Sequence, residues 1–354
     1  METIISFPHM ADYYVPAKYL FSHITNVKVL EPPKITNKTI ELGSKYSPDF
    51  VCTPFKYTLG TLIESLEMGA NVLIQFGGGC RYGYYHELQE QILKDLGYNF
   101  KLINLVTAGK TDIKKIYKDI KKIDPKVSII KGIYYLLITK KMVEYMDNID
   151  DYIRKNIGFE VEKDSFIKLK DKMLEDFSNI KGYFHLKKLY KKYLKEFKSI
   201  KINKPKNYLK VGIIGELYTV MEPYANYNIE YELARNGIEI TRFTNATYLL
   251  FKKKKKIKKY LKEMKNIKYK MGADAMDNIY YTLMLCKNKY DGIIHIKSSF
   301  CTPEIASQMI INKICKEYNI PVNFYSFDAN TSEVGIKTRL EAFYDMIEMR
   351  MKNE

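Results

Sequence analysis

The stretch of sequence that decides the fold is residues 71–97, which read NVLIQF, GGGC, RYGYYHELQEQILKDL and G in succession. An apolar run of strand length is followed by three glycines, a cysteine and a run with helical spacing that a glycine ends. We expect a strand over Asn71–Phe76, a turn over Gly77–Gly79 and a helix over Tyr82–Leu96. A strand that leads through a tight turn into a helix is typical of parallel sheets with crossover helices.

The same alternation extends outward on both sides of this stretch. Short apolar runs of strand character recur upstream and downstream, and most precede an amphipathic run of helix length. We predict further strands at Thr3–Phe7, Val27–Leu30, Phe100–Leu105, Lys210–Ile214, Ile238–Phe243, Gly292–Ile296 and Val322–Phe327. Residues from about 111 to 200 differ, because they are mostly helical in pattern, rich in Lys and Tyr, and poor in Gly and Pro.

The predicted fold class is therefore α/β, with two Rossmann-like lobes that contain parallel sheets and are joined by a mainly helical segment. The corresponding domains are an N-terminal α/β lobe at residues 1–110, a helical segment and linker at 111–205, and a C-terminal α/β lobe at 206–354. A chain of 354 residues is long enough for more than one core.

The composition is that of a globular protein, with 46% hydrophobic and 28% charged residues. No apolar run approaches the roughly 18 residues needed to cross a bilayer. The N-terminus lacks a basic segment followed by an apolar one, so it does not have the pattern of a signal peptide. We therefore expect a cytoplasmic protein that has no membrane partner.

The formal net charge of +17 raises the question of nucleic-acid binding. Lys, Ile, Asn and Tyr are all abundant, and the densest basic run, Lys252–Lys256 with Lys258 and Lys259, lies in a helix-like stretch. We interpret the charge as Lys on solvated faces, which argues against nucleic acid as the partner. A basic surface is also suited to coenzyme phosphates or an acidic protein.

Five cysteines, odd in number and without a close pair, argue against a disulfide framework. Cys52-Thr-Pro and Cys301-Thr-Pro each follow an extended stretch and open a helix, and Cys80 lies between a strand and a helix. Helix N-termini favour thiolates, and ligands of open α/β sheets gather at the carboxyl ends of strands. We predict Cys52, Cys80 and Cys301 as metal ligands.

The spacing of these cysteines bears on the kind of metal. Zinc sites usually contain close pairs such as C-x-x-C, which are absent. Three separated thiolates fit an iron–sulfur cubane with one open iron. The alternative is that they are small buried residues at strand ends, since free cysteine is often buried. Cys286 and Cys315 lie inside helical patterns, where we expect core residues rather than further ligands.

The motifs around the cysteines also resemble a known family. They are Cys52-Thr-Pro-Phe-Lys56, Gly77-Gly-Gly-Cys-Arg-Tyr-Gly-Tyr84, Gly215-Glu-Leu-Tyr218, Phe300-Cys-Thr-Pro-Glu304 and Thr338-Arg-Leu-Glu-Ala-Phe343. In this order they resemble the 2-hydroxyacyl-CoA dehydratase component D and activase-related proteins, including double-cubane-cluster proteins, and in particular the shorter stand-alone members. The resemblance implies a [4Fe-4S] cluster held by three cysteines per subunit, at positions that match Cys52, Cys80 and Cys301.

The resemblance further implies reductive chemistry of anaerobic metabolism. In the family, a separate actin-like ATPase activator transfers an electron to the cluster protein, and the dehydratases convert a 2-hydroxyacyl-CoA to a ketyl radical that expels water. The chain has no G-x-x-x-x-G-K-[ST] loop, which fits an ATPase on another polypeptide. The dehydratases are heterodimers of related subunits. The double-cubane proteins are homodimers that reduce small molecules, so both assemblies and both substrate classes stay open.

Five further residues complete the predicted site. Glu216 and His9 follow predicted strands and are candidate acid/base groups, although a helix-terminal charge and a turn histidine are the ordinary alternatives. Gly78 and Gly79 would allow the backbone to approach the cofactor, and Arg81 would offset its charge. We predict an iron–sulfur redox protein of the dehydratase type. The alternatives are a non-catalytic electron carrier, scaffold or assembly partner, and a cluster-free binding protein.

Overall fold

The computed structural model describes residues 2–107, 109–251 and 271–353. The chain divides into two compact units, Met1–Met142 and Val143–Glu354, each of which contains one four-stranded sheet. All strand pairs in both sheets are parallel, and helices connect the strands, so the predicted α/β class with two parallel-sheet lobes is confirmed. The basic run that begins at Lys252 lies outside the described residues.

In the first unit the strands are β1 (Ile4–Ser6), β2 (Lys28–Val29), β3 (Val72–Gln75) and β4 (Lys101–Asn104). Their order across the sheet is β2-β1-β3-β4. The helices are α1 (Tyr14–Ile24), α2 (Asn37–Tyr46), α3 (Thr53–Glu67), a 3-10 helix (Arg81–Tyr84), α4 (Tyr85–Asp95) and α5 (Ile113–Lys121).

Apolar side chains cover both faces of this sheet. Ile74 packs with residues of α1 and α5, whereas Leu73, its neighbour on the opposite face, packs with residues of α3 and α4. Leu59 and Leu62 of α3 are fully buried, and burial of such a side chain contributes about 1.5–3 kcal/mol. This packing fixes the N-terminus of α3 at the carboxyl edge of the sheet.

Helices dominate the middle of the chain, as its Lys- and Tyr-rich pattern indicates. They are α6 (Ile129–Asn156), α7 (Ser165–Ser178) and α8 (Tyr183–Ser199). The boundary between the two units falls within α6. The rings of Tyr145 and Tyr190 stack with centroids 3.9 Å apart, which holds α6 against α8 in the second unit.

In the second unit the strands are β5 (Lys210–Gly215), β6 (Glu239–Arg242), β7 (Gly292–Ser298) and β8 (Val322–Phe327), in the order β6-β5-β7-β8. The helices are α9 (Leu217–Met221), α10 (Ile229–Ala234), α11 (Ala246–Phe251), α12 (Ala275–Lys287), α13 (Thr302–Glu317) and α14 (Glu333–Asn353), with a 3-10 helix at Tyr224–Asn226. Helices α12 and α13 cover one face of the sheet, and α10 and α14 cover the other.

One helix of the second unit begins later than the sequence pattern predicts. The helical spacing of residues 226–236 predicts a helix, and the structure has α10 over Ile229–Ala234, after the 3-10 helix Tyr224–Asn226. Tyr227 and Asn228, at φ angles of 54° and 56°, separate the two. Two successive left-handed residues cannot continue a right-handed helix.

Candidate functional site

All three predicted cysteine ligands occupy the same local position, which is the N-cap of a helix. Cys52 caps α3, Cys301 caps α13, and Cys80 caps the 3-10 helix Arg81–Tyr84. Thr53 and Thr302 are the first residues of α3 and α13. Each cysteine therefore lies at the amino end of a helix, where the backbone dipoles stabilise negative charge. Of the three side chains, that of Cys80 accepts a cap hydrogen bond, whereas Cys52 and Cys301 make none in the described structure.

The thiol of Cys52 contacts the aromatic side chains that close the carboxyl end of β3. Its Sγ and the hydroxyl of Tyr85 form a short hydrogen bond. The ring of Tyr85 is buried, packs edge-on against Phe55 at 4.9 Å and stacks on Tyr82 at 4.5 Å. Cys52 is half-buried, and its sulfur is anchored by this bond.

Cys80 meets the same pair of tyrosines from the other direction. Its Sγ accepts a hydrogen bond from the backbone N–H of Tyr82 at 3.4 Å, and the residue is exposed. Because the Tyr82 ring stacks on Tyr85, which contacts Cys52, both cysteines flank one aromatic pair. The first unit thus brings two of the three predicted ligands to one end of its sheet.

The three glycines before Cys80 have different surroundings. Gly77 has a φ angle of +69°, and an added Cβ would lie 1.8 Å from the carbonyl oxygen of Val106, so no larger residue fits. The Gly78 carbonyl accepts a hydrogen bond from Gly109 N–H at 2.8 Å. A Cβ on Gly79 would have no neighbour within 4 Å among the described residues. Gly79 therefore leaves open space beside Cys80.

The remaining predicted site residues of the first unit are Arg81 and His9. Arg81 is exposed in the turn after Cys80. His9 follows β1 and is 8% exposed, and its ring stacks on Tyr14 with centroids 5.6 Å apart. Both lie beyond carboxyl ends of strands, as the sequence predicts, and their roles stay predictions.

In the second unit, Cys301 lies after the carboxyl end of β7. Its backbone N–H donates to the Ser298 carbonyl at 3.1 Å, and the side chain is half-buried. Lys297 of β7 is only 4% exposed and has an electrostatic interaction with Cys301. The third predicted ligand is thus within electrostatic range of a buried lysine, whose signal in the sequence is a lysine near the end of the Ile-rich strand β7.

A hydrogen-bonded polar network lies behind Cys301, in the interior of the second unit. His295 Nε2 and Glu304 Oε2 are 2.7 Å apart, with both side chains almost wholly buried. The amide of Asn278 donates to both oxygens of Glu304 at 3.0 Å and also bonds to Gly215. This network ties α12, β5, β7 and the first turn of α13 together, and so fixes the position of the Cys301 cap.

Glu216 occupies the N-cap of α9, directly after β5. Its carboxylate accepts hydrogen bonds from the N–H groups of Tyr218 at 2.9 Å and Thr219 at 3.0 Å, and from the Thr219 hydroxyl at 2.6 Å. Burial raises the pKa of Glu216, and the nearby Glu304 raises it further. A carboxyl group with a raised pKa at this sheet edge is suited to donate a proton, and it also serves as a helix cap.

The two other cysteines lie in the apolar core of the second unit, as predicted. Cys286 of α12 is 3% exposed and Cys315 of α13 is 1% exposed. The two thiols hydrogen-bond to each other, and this bond together with burial raises the pKa of Cys315. Both thiols are shielded from solvent, which keeps reagents and ligands away from them.

No group of three or more His, Cys, Asp or Glu side chains is placed to hold a metal ion within the described part of the chain. Two surface depressions border the amino ends of the sheets, at Val72 and Lys101 in the first unit and at Leu209 and Gly237 in the second. No helix among the described residues is long and apolar enough to cross a membrane.

The fold and the cysteines define a class: an α/β protein of two parallel-sheet units with accessible thiols at strand-to-helix junctions. Residues 253–347 match the family model of the 2-hydroxyglutaryl-CoA dehydratase D-component, so this part of the chain is similar to that dehydratase component. The matched region includes Lys297, Cys301 and Glu304. A search of curated proteins found no significant match.

Proposed function

We propose that the chain is the iron–sulfur component of a dehydratase of the 2-hydroxyacyl-CoA type. The observation that carries this proposal is the shared position of Cys52, Cys80 and Cys301, each at a helix N-cap that follows a strand or an extended stretch. Three thiols at the amino ends of helices are suitable donors for an anionic cluster, because the helix dipole stabilises negative charge there.

In this proposal Cys52, Cys80 and Cys301 hold a [4Fe-4S] cluster. A bound cluster with an open iron supplies an electron and a Lewis-acid position for a carbonyl or hydroxyl oxygen. Binding requires the three sulfur atoms to come within about 6–7 Å of one another, given metal–thiolate bonds of about 2.3 Å. A double-cubane variant would need further ligands, and the buried Cys286 and Cys315 are unsuited to that role.

The chain's own groups have separate roles in the proposed reaction. Glu216, with its raised pKa, is the candidate donor of the proton with which a 2-hydroxyl group leaves as water. His9 is a second candidate acid/base group. Gly79 leaves space for the cofactor, and Arg81 contributes positive charge beside it. A 2-hydroxyacyl-CoA is the substrate class that the family suggests, and a separate actin-like ATPase would supply the electron.

The experiment that tests the cluster is anaerobic purification of the full chain with iron and sulfide analysis. We expect about four irons per chain and broad visible absorption. Cys52→Ser, Cys80→Ser and Cys301→Ser should each lose the iron, whereas Cys286→Ala should retain it because that thiol is in the core. Absence of iron after anaerobic reconstitution, or full iron in all three Ser variants, would contradict the proposal.

A second experiment tests the dehydratase reaction itself. The iron-loaded chain, as a homodimer or with a related subunit, is mixed with the cognate ATPase, ATP and candidate 2-hydroxyacyl-CoA thioesters. We expect ATP-dependent loss of water from one thioester. Rapid reduction of the protein with no thioester consumed would instead indicate a non-catalytic electron carrier.

A further inference from the structure

Lys297 is a buried cation for which the described residues provide no acidic partner. Its side chain is 4% exposed, at the carboxyl end of β7, and its Nζ donates to the carbonyl oxygen of Ser299 at 3.3 Å. Among the described residues, no carboxylate oxygen lies within 4.0 Å of this ammonium group. Burial of an ammonium group without an ion pair costs free energy of folding, so the presence of a lysine at this buried position requires an explanation.

Glu304, the buried carboxylate that interacts electrostatically with Lys297, is already engaged by other donors. Its oxygens accept hydrogen bonds from His295 at 2.7 Å and from Asn278 at 3.0 Å. Glu304 therefore interacts with Lys297 only through space. Burial lowers the pKa of Lys297, while the negative charges of Cys301 and Glu304 oppose that effect.

The position of Lys297 on the strand explains where its charge acts. Side chains alternate across a strand, so Ile293, His295 and Lys297 share one face of β7. Ile293 packs in the apolar core beneath α12 and α13, and His295 is bonded to Glu304. Toward Cys301, the side chains on this face thus change from apolar Ile293 to polar His295 to the positively charged Lys297. This order places the positive charge at the end of β7 where the proposed cluster would bind.

We propose that Lys297 compensates the negative charge that collects at Cys301 when the cluster binds. This inference rests on the proposed function and adds an electrostatic role for a residue that holds no iron. In this proposal Lys297 is a positioning residue, because its charge acts on Cys301 and the residue contacts no reacting atom. A fixed positive charge close to a cluster favours the reduced state, since reduction adds one negative charge.

The test is a reduction-potential titration of the anaerobically loaded full chain. Lys297→Met removes the charge while it keeps the length of the side chain, and Lys297→Arg keeps the charge. Lys313→Met is the matched control, because Lys313 lies exposed on α13 and its charge is screened by solvent. Iron content and circular dichroism are measured on every variant, and Lys297→Gln replaces the Met variant if that variant does not fold.

We expect Lys297→Met to make one-electron reduction at least tenfold less favourable, which is a shift of about 59 mV to more negative potential. Lys297→Arg and Lys313→Met should stay close to wild type. A fully loaded neutral variant with the wild-type potential would overturn the inference and leave the proposed function standing. A wild-type chain that takes up no iron would overturn both.

Discussion

The imidazole of His295 and the carboxylate of Glu304 are joined by a hydrogen bond of 2.7 Å in the interior of the second unit. A carboxylate only accepts, so Nε2 of His295 carries the proton. The bond connects the central strand β7 to the first turn of α13, three residues after its Cys301 cap. Because this bond holds β7 and α13 together, it stabilises the second unit and also fixes the position of Cys301, a candidate metal ligand.

Substitution of Glu304 tests this link. Glu304→Ala leaves the donors of His295 and Asn278 unpaired in the interior, and we expect a loss of about 3–5 kcal/mol in the free energy of unfolding. Glu304→Gln keeps an acceptor and should cost less, about 1–3 kcal/mol. Urea denaturation measures both. Glu317→Ala, exposed on the same helix, is the control, and an equal effect of Glu304→Ala and Glu317→Ala would refute the role of the network.

The contrast between Gly77 and Gly79 gives a second prediction. Gly77→Ala should lower the free energy of unfolding by about 1–3 kcal/mol, because of its positive φ angle and the close Val106 carbonyl. Gly79→Ala should stay within about 0.5 kcal/mol of wild type, because its Cβ meets no atom. If the open space at Gly79 receives the cofactor, the well-folded Gly79→Ala variant should also bind less iron. Full iron binding by that variant would argue against contact.

Asp124 makes the stability of the first unit depend on pH. Burial by itself raises the pKa of this carboxyl, but hydrogen bonds from Asn26 and from the Lys126 N–H outweigh burial and lower it. Because the pKa of Asp124 is lower in the folded state than in the unfolded state, its carboxylate stabilises the fold above pH 3.8, the unfolded pKa. This stabilisation is lost as the pH falls through the pKa of the folded state.

The corresponding variant is Asp124→Ala. We expect it to reduce the free energy of unfolding by about 1–3 kcal/mol at pH 7, because Asn26 and Lys126 lose a charged acceptor. The difference from wild type should shrink below pH 3.8. Denaturation at several pH values checks this, with the exposed Asp95→Ala as control. A difference that grows toward acid would contradict the assigned direction.

The hydroxyl of Tyr85 can be removed without loss of its ring contacts. Tyr85→Phe keeps the packing on Phe55 and Tyr82 but removes the hydrogen bond to Cys52, so we expect a loss of about 0.5–1.5 kcal/mol in stability. In iron-loaded protein the same change should lower the reduction potential, because hydrogen bonds to ligand sulfurs raise it. Tyr84→Phe, at an exposed neighbouring position, serves for comparison, and identical behaviour of the two variants would count against the bond.

The five thiols should differ in reactivity in the native, iron-free protein. Cys80 is exposed, Cys52 and Cys301 are half-buried, and all three lie at helix N-caps, whereas Cys286 and Cys315 are buried. Iodoacetamide followed by mass spectrometry should label the first three and leave the other two unmodified until denaturant is added. Rapid native labelling of Cys315 would show that the core of the second unit opens.

Much of the fold follows from local patterns in the sequence. The strand Val322–Phe327 is found with the predicted bounds, and Cys52, Cys80 and Cys301 open helices as their motifs indicate. Strand and helix periodicity, helix-ending glycines and the Cys-Thr-Pro junctions all act over a few residues. Such signals are present in the chain whatever its tertiary contacts are.

Tertiary structure alone decided which distant groups meet. Nothing local indicates that Tyr85 bonds to Cys52, or that Asn278 joins Glu304 and His295. Nor does the pattern of β7 reveal that Lys297 is buried and that no carboxylate of the described residues pairs with it. These contacts depend on how sheets and helices pack, because burial and pairing are properties of side chains far apart in sequence. The sequence by itself determined the class of fold and the local setting of the three cysteines, and the packing decided what surrounds each sulfur atom.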